Sequence, residues 1–458
     1  MPDAFVLLLP KLSVLVFVVA MGACVGSLVN VLVYRIPRGI GVVVPGSRCP
    51  VCGARLSFRE NIPVFGWLIL RGRCRHCSAS ISPEYPIVET VVAILFGAVY
   101  TLWYIVGPDA TLLGIPIGSI APEWAHNGAG LTWPAMVVIL VLVASLVAMT
   151  LIDARTSTIP LVLTWAPAMV ALVFHTAHGV WFSLALGEPE RSGSGGWRFP
   201  GMYRAWESAE GWLWTIPTPD PGDWRSIGAA LGAALGLLVA NALLSMGFLT
   251  RSFADYDDWA ERYRAEHADE PPGGALEWIR YPHARREMVR ELAFLAPAFL
   301  FGAIGTWLAP AIVSWVGGAW SFDPSLGVAA PPFDAPLWIA VLSGVLWGYL
   351  IGAGVVWGVR ILGSLAFNKE AMGLGDVHMM GAVGACLGWI DATIAFFLAA
   401  FVALAIVLVG AVARSGFVRA MPYGPSLAIA TLLVLVCKPL IERGLGVMLA
   451  MGSAYPIP

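Results

Sequence analysis

The chain has 458 residues, of which 58% are hydrophobic and only 12% charged, against roughly 25% charged residues in soluble domains. A soluble globular protein is excluded, and an all-α polytopic membrane protein is expected. The net charge of -2 identifies no partner. With no long basic tract, P-loop or dinucleotide fingerprint present, nucleic acid is not an expected partner.

Taken in chain order, apolar windows long enough to cross a bilayer fall near residues 5–33, 87–106, 134–152, 159–182, 226–249, 291–317, 337–363, 392–412 and 425–447. A shorter apolar run, 377–389, brings the count to about ten hydrophobic segments. The first segment is expected to be a transmembrane span within 1–34 rather than a cleaved signal peptide. Its first ten residues hold Asp3 and no basic residue, and its apolar run continues to Val33, although Met21-Gly22-Ala23-Cys24 loosely resembles a lipoprotein cleavage site. A polar loop, 35–86, follows with eight arginines, while 107–133 has no Lys or Arg. Loop 250–290 has seven arginines and 318–336 has none; Lys369, Arg414 and Arg419 mark two further basic loops. The positive-inside rule then puts the N-terminus outside and loop 35–86 in the cytoplasm. Only Lys438 and Arg443, near the outer end of the last span, run against that orientation.

Two polar regions interrupt the spans. The segment 180–225, with Trp197, Trp206, Trp212, Trp214 and Trp224, reads as an outer, interface-seeking stretch. Acids and arginines alternate over Asp255–Arg264 and Ala284–Arg290, which reads as short solvent-facing helices split by Pro271-Pro272.

Loop 35–86 contains two Cys-x-x-Cys pairs, Cys49/Cys52 and Cys74/Cys77, separated by 21 residues. Two such pairs let four thiolates converge on one zinc ion. A disulfide framework is disfavoured by the cytoplasmic placement, and the loop has too few apolar residues to fold without a staple. Cys24, Cys386 and Cys437 lie within spans and read as small buried hydrophobes.

Two aspartates stand out at the ends of apolar spans. Asp153 closes Leu151-Ile152-Asp153, and Asp376 follows Gly373-Leu374-Gly375 immediately before the run beginning at Val377. A carboxylate at the edge of hydrocarbon is costly, which makes it a functional candidate. Gly373 and Gly375 suit a close backbone approach ahead of a helix starting near Val377. On the expected topology both aspartates fall on the cytoplasmic side.

Taken together, these features resemble the prepilin leader peptidases, membrane aspartyl proteases of the Gly-x-Gly-Asp type. The matching blocks run in the family's order: Val25–Pro37, Glu60–Pro63, Leu70–Cys74, Tyr85–Glu89, Leu151–Asp153 with Ile159-Pro160, Gly373–Asp376, and Met421–Ser426. They cover roughly residues 15–182 and 337–447. The resemblance implies catalytic roles for Asp153 and Asp376 and zinc ligation by Cys49, Cys52, Cys74 and Cys77. Implied substrates are type IV prepilins or type II secretion pseudopilins, whose short basic leader is cut before an apolar helix lying in the bilayer. Members with the cysteine loop also methylate the new N-terminus from S-adenosylmethionine, whereas members without it are often peptidases only. The implied location is the inner (cytoplasmic) membrane.

Three departures are visible. Relatives have an acid soon after the first aspartate and another after the proline; here the chain reads Asp153-Ala154-Arg155 and Pro160-Leu161. The family's lysine two residues past the second aspartate is His378, a candidate supporting residue. Residues 183–336 form an insertion with two extra spans. The expected organisation is therefore 1–34, the zinc loop 35–86, spans 87–182 with the first aspartate, the insertion, and spans 337–458 with the second. An even number of added spans returns Asp376 to the same side as Asp153.

Two neighbouring carboxylates share a proton, so that one draws a proton from water while the other hydrogen-bonds the scissile carbonyl. Asn30 and Glu89, at span ends, and Glu60 and Asn61, in the loop, are secondary candidates. The arginine-rich loops suit anionic lipid headgroups. A proton-relay transporter, with the aspartates nearer the midplane at a repeat interface, and a non-catalytic assembly scaffold are the competing readings.

Overall fold

A computed structural model describes residues 2–44, 46–107, 109–112, 117–121, 125, 128–186, 190–191, 197–198, 224–266, 283–323, 328–367, 370–414 and 422–448. Among these, eight helices are long and apolar enough to cross a membrane, and two shorter apolar helices join them. The all-α reading and the number of hydrophobic segments both hold. The long helices are α1 (Pro2–Arg35), α3 (Glu84–Tyr100, prolonged by a π-turn over Thr101–Ile105), α4 (Ala129–Thr156), α5 (Leu161–Leu186), α6 (Trp224–Ser245), α8 (Ala284–Gly317), α9 (Leu337–Phe367) and α11 (Trp389–Arg414). The short apolar helix α10 spans Leu374–Leu387; in α12, Gly424–Met448, the apolar part is Gly424–Cys437. Two small helices lie in loops, α2 (Phe65–Ile69) and α7 (Tyr256–Glu266). Among the described residues, strand pairing consists of two small antiparallel hairpins, β1 (Glu190–Arg191) with β2 (Trp197–Arg198) and β3 (Ser321–Asp323) with β4 (Val328–Ala330), and two isolated bridges, Arg48–Arg55 and Arg73–Ser80.

The helices pack as one bundle with α10 at its centre, against α4, α5, α9 and α11. All residues of α10 from Val377 to Leu387 except His378 are buried, as expected of a helix apolar on every side. Small residues let it sit so deep. Gly348 on α9 and Gly384 on α10 face each other so closely that a Cβ on either would strike the other's carbonyl. Such contacts are how helices associate where hydrocarbon provides no hydrophobic drive. At the C-terminal end of α10, Gly388 turns the chain into α11 at φ 95°, a left-handed conformation open to glycine. At the opposite end of α4, Ser157 takes φ 51° and donates its N–H to the Asp153 carbonyl (2.8 Å), stopping the helix just before Pro160.

Helices α6 and α8, from the segment expected to be an insertion, form a tight hairpin, glycine face to backbone, and dock on α9. The Trp347 indole donates to the Ser226 carbonyl (3.1 Å) and hydroxyl (2.9 Å). One expectation is corrected here. Residues 284–290 are not a short solvent-facing helix: they are the first turns of α8, continuous with the span, and Glu287 and Glu291 are buried at 0% and 3% exposure. Glu291 pairs with the buried Arg360 and Glu287 with the more exposed Arg286 and Arg290, which a reading of charge alternation alone does not reveal. The companion stretch does form a helix, α7; Pro271-Pro272 and Trp206, Trp212 and Trp214 lie outside the described residues.

Gly348→Val is expected to cost about 1–3 kcal/mol, the usual range for forcing side-chain volume into a filled contact. The measurement is thermal or denaturant unfolding in detergent beside Gly354→Val, whose Cβ position opens on empty space.

Candidate active site

Asp153 and Asp376 line one cavity of about 600 Å³ at one end of the bundle, together with Ser157, Val359, Ala371, Met372, Gly373, Phe396, Pro422 and Tyr423. The two carboxylates arrive from opposite chain directions. Asp153 sits in the last turn of α4 and Asp376 in the first turn of α10, at 5% and 9% exposure. Each is oriented by backbone. The Gly424 N–H, at the first residue of α12, donates to Asp153 Oδ2 at 3.0 Å, placing the carboxylate at a helix N-terminus, where negative charge is favoured. A Cβ on Gly424 would lie 2.5 Å from that same oxygen. Asp376 is the third residue of its helix, and its carboxylate takes the backbone N–H of the N-cap Gly373, the acid half of a capping box.

The helix therefore begins at Leu374, three residues ahead of the expected Val377, because Gly373 is extended (φ −71°, ψ 146°) and caps it. Gly375 serves packing rather than a turn. A Cβ there would fall 2.8 Å from Ile159 Cβ, so its absence lets α10 approach the α4–α5 connection and brings Asp376 beside Asp153. His378 does not line the cavity. Its Nδ1 is 3.0 Å from the Tyr349 hydroxyl on α9, and Trp165 lies against that tyrosine ring. Arg155, standing where relatives have an acid, is ion-paired with Glu84 at the start of α3.

Sequence reasoning passed over two contributors. Gly424 lies in the Met421–Ser426 block, which was singled out, but nothing local to that block reveals its partner 271 residues away. Arg360 on α9 is 1% exposed and donates to the carbonyl of Met372, directly before Gly373, and to the Glu370 carboxylate. A lone arginine inside an apolar span was the available signal.

The loop between α1 and α3 holds the four cysteines. The Sγ atoms of Cys49, Cys52, Cys74 and Cys77 all lie within 4.8 Å of one another, with Cys49···Cys77 at 3.9 Å and Cys52···Cys74 at 4.0 Å. Tetrahedral zinc at its usual Zn–S length needs sulfur separations of about 3.8 Å, so the donor set fits zinc. The two knuckles are built alike: Cys49 N–H bonds Ala54 O (2.9 Å) and Cys74 N–H bonds Ala79 O (2.8 Å). N–H groups of Cys52 and Val51 aimed at the Cys49 sulfur lower its thiol to about 6, while burial and the neighbouring sulfurs push the Cys77 thiol up to about 12, so the first thiolate forms readily and the last resists ionisation. The loop has almost no core of its own. Phe58, Phe65, Leu68 and Ile69 are all exposed, and Cys49, Cys74, Gly66 and Gly72 are the only buried residues from 47 to 82.

The secondary candidates fasten this loop. Asn30 Nδ2 donates to Tyr85 O across α1 and α3 (3.0 Å), as a span-end amide was expected to do. Glu89 accepts the Val64 N–H at 2.6 Å, which binds the loop, and also meets the Ser27 side chain on α1, the neighbouring-helix contact expected of it. Glu60 accepts the Ser57 N–H (2.7 Å), which holds its carboxyl below the ordinary range, and lies 3.9 Å from Arg75.

Residues 20–103 match the family model of the bacterial Peptidase A24 N-terminal domain. Among curated proteins, the prepilin leader peptidase/N-methyltransferase of Myxococcus xanthus (strain DK1622) is 49% identical over 83 residues, covering 18% of this chain and 25% of that protein. The enzyme of the same name from Klebsiella pneumoniae is 38% identical over 104 residues, covering 21% and 44%. That of Neisseria gonorrhoeae is 26% identical over 254 residues, covering 50% and 77%. The match thus spans a quarter and less than half of the first two relatives. No solved structure matches the chain. The likeness to prepilin leader peptidases drawn from the motif blocks is borne out. It is concentrated in the end of α1, the cysteine loop and α3, and the matched family model ends ahead of both aspartates.

Metal analysis of the purified chain is expected to return about one zinc per molecule. Cys74→Ser should release it and expose loop 47–82 to protease at sites that are protected in the loaded protein.

Proposed function

We propose that the chain is a membrane aspartyl endopeptidase that removes the short basic leader from type IV prepilin or pseudopilin precursors. The observation that carries this reading is the meeting of Asp153 and Asp376, more than 220 residues apart in sequence, in one cavity. The likeness to prepilin leader peptidases supports the substrate class.

In the proposed mechanism the two carboxylates hold one proton between them, because two like charges at close range are disfavoured. A water lying between them loses a proton to the ionised member as its oxygen attacks the scissile carbonyl. The protonated member hydrogen-bonds the carbonyl oxygen and gives up its proton as the tetrahedral intermediate forms. Collapse returns a proton to the leaving amine and restores the shared proton. The Gly424 and Gly373 N–H groups hold the acids in place throughout, so little reorganisation accompanies the reaction.

The cavity also suits the substrate. Val359 and Phe396 line its wall, and the adjoining faces of α9 and α11 expose Leu362, Phe397 and Phe401. An apolar helix lying in the bilayer meets matching side chains there, with its leader end at the cavity. In this reading the membrane is the inner membrane, and the zinc loop and active site face the cytoplasm. Zinc ligated by Cys49, Cys52, Cys74 and Cys77 is structural and takes no part in hydrolysis. As the relatives' name suggests, the enzyme then methylates the new N-terminus, with S-adenosylmethionine supplying the methyl group; a product N-terminus of unmodified mass marks a peptidase only.

Co-expression with a model prepilin, followed by gel shift, tests the reading. Wild type should cleave, and Asp153→Asn and Asp376→Asn, each expressed at normal level, should lose about 10²–10⁴-fold in rate. Cleavage that survives either substitution refutes the aspartyl mechanism.

A further inference from the structure

The insertion carries an acid into the machinery behind the active-site loop. Arg360 is one of the largest side chains buried below 2% exposure among the described residues, and it is shared between two parts of the molecule. Its Nε and one amino group grip Glu291 of inserted helix α8, at 3.0 Å and 2.9 Å to Oε1. Its other amino group holds the Glu370 carboxylate and the Met372 carbonyl. The same short loop is fixed a second time where the Ala371 N–H donates to Ser364 Oγ (3.1 Å). From Met372 the chain passes directly to Gly373, the N-cap whose N–H meets Asp376.

Glu291 is in turn fixed by the fold. Trp357 Nε1 donates to its Oε2 at 2.8 Å, and the Phe294 ring lies 6.0 Å from the Trp357 ring. Phe253, in the polar loop before α7, places its ring 5.2 Å from the Arg360 guanidinium. A bidentate guanidinium–carboxylate pair fixes direction as well as distance. Within the described residues, Glu291 is the partner that anchors the side of Arg360 facing away from the loop.

We propose that Glu291 is a positioning residue for Asp376. It orients Arg360, Arg360 holds the Met372 carbonyl, and that backbone sets where the Gly373–Asp376 turn stands opposite Asp153. The insertion on this account is part of the active-site scaffold rather than an appendage. The inference rests on the proposed role of Asp376 for its kinetic consequence, but its structural consequence is measurable without activity.

The test uses the full-length protein in detergent or liposomes and two readouts: steady-state cleavage of a model prepilin, and amide hydrogen exchange over residues 370–376. The variants are Glu291→Gln, Glu291→Asp, Trp357→Phe and, as a control one turn away in the same buried helix end, Glu287→Gln. Glu287 accepts the Phe253 N–H and pairs with Arg286 and Arg290, so its loss perturbs α8 and reaches Arg360 only through the Phe253 ring, leaving every hydrogen bond of the guanidinium in place. Glu291→Gln is expected to lower kcat at least about 10-fold with KM changed less than about 2-fold, the pattern of a lost transition-state alignment, and to speed exchange over 370–376. Glu291→Asp should restore part of kcat. Trp357→Phe, which removes a single hydrogen bond and leaves the ion pair, should lower kcat about 3–10-fold and keeps the test open if Glu291→Gln does not fold. Glu287→Gln should leave exchange over 370–376 unchanged. Unchanged exchange over 370–376 in folded Glu291→Gln and Trp357→Phe overturns the proposal, as does an equal increase in Glu287→Gln. If Asp376→Asn cleaves normally while Glu291→Gln still frees the loop, the catalytic reading fails and the positioning of the loop stands.

Discussion

The hydrogen bond from the Gly424 N–H to Asp153 is the contact around which the rest is arranged. It joins the end of α4 to the start of α12 across 271 residues of sequence, and it places a carboxylate at the positive end of a helix. A buried carboxylate at a membrane edge requires fixed donors or counter-charges. Here the donors are backbone N–H groups, which have no rotamers to lose. The same solution appears at Asp376 with Gly373. Both acids are thus held by main chain at glycines, and the close approach of glycine backbones at Gly348 and Gly384 puts α10 deep enough for the acids to share a cavity.

The cysteine loop follows a different physical rule. Its hydrophobic side chains point outward and its buried residues are mostly cysteines and glycines, so packing alone does not hold it. Four sulfurs at tetrahedral spacing are the natural staple, while Glu89 ties the loop to α3 and Asn30 joins α1 to α3 beside it. The Glu84–Arg155 ion pair then connects the start of α3 to the turn that carries Asp153. Loop and cavity consequently lie at the same end of the bundle.

Much of this was legible in the sequence because hydrocarbon imposes a length and a composition on every span. The helix count follows from the apolar windows, the cysteine cluster from two Cys-x-x-Cys pairs, and the pairing of the two aspartates from the family resemblance that the motif blocks carry. What was not legible are pairings between distant segments. Glu287 lay in what read as a solvent-facing charge run ending at Arg290, with Glu291 at the start of the span after it, and only the packing of α8 on α9 turns Glu291 towards Arg360. His378 is two positions from Asp376, so proximity in sequence suggested a shared site. On a helix, positions two apart point to different faces, and the imidazole meets Tyr349 instead. The role of Gly375 was half legible: a need for close approach could be read, but not that Ile159 is the neighbour.

The central claim is that the two carboxylates stabilise a tetrahedral intermediate in one shared cavity. Its most direct test is the affinity of a prepilin leader analogue whose scissile amide is replaced by a hydroxyl-bearing tetrahedral isostere. The account requires the isostere to bind wild type at least about 100-fold more tightly than the parent amide, with that advantage lost in both Asp153→Asn and Asp376→Asn. An isostere that binds no better than the amide, or that keeps its advantage without either acid, contradicts it.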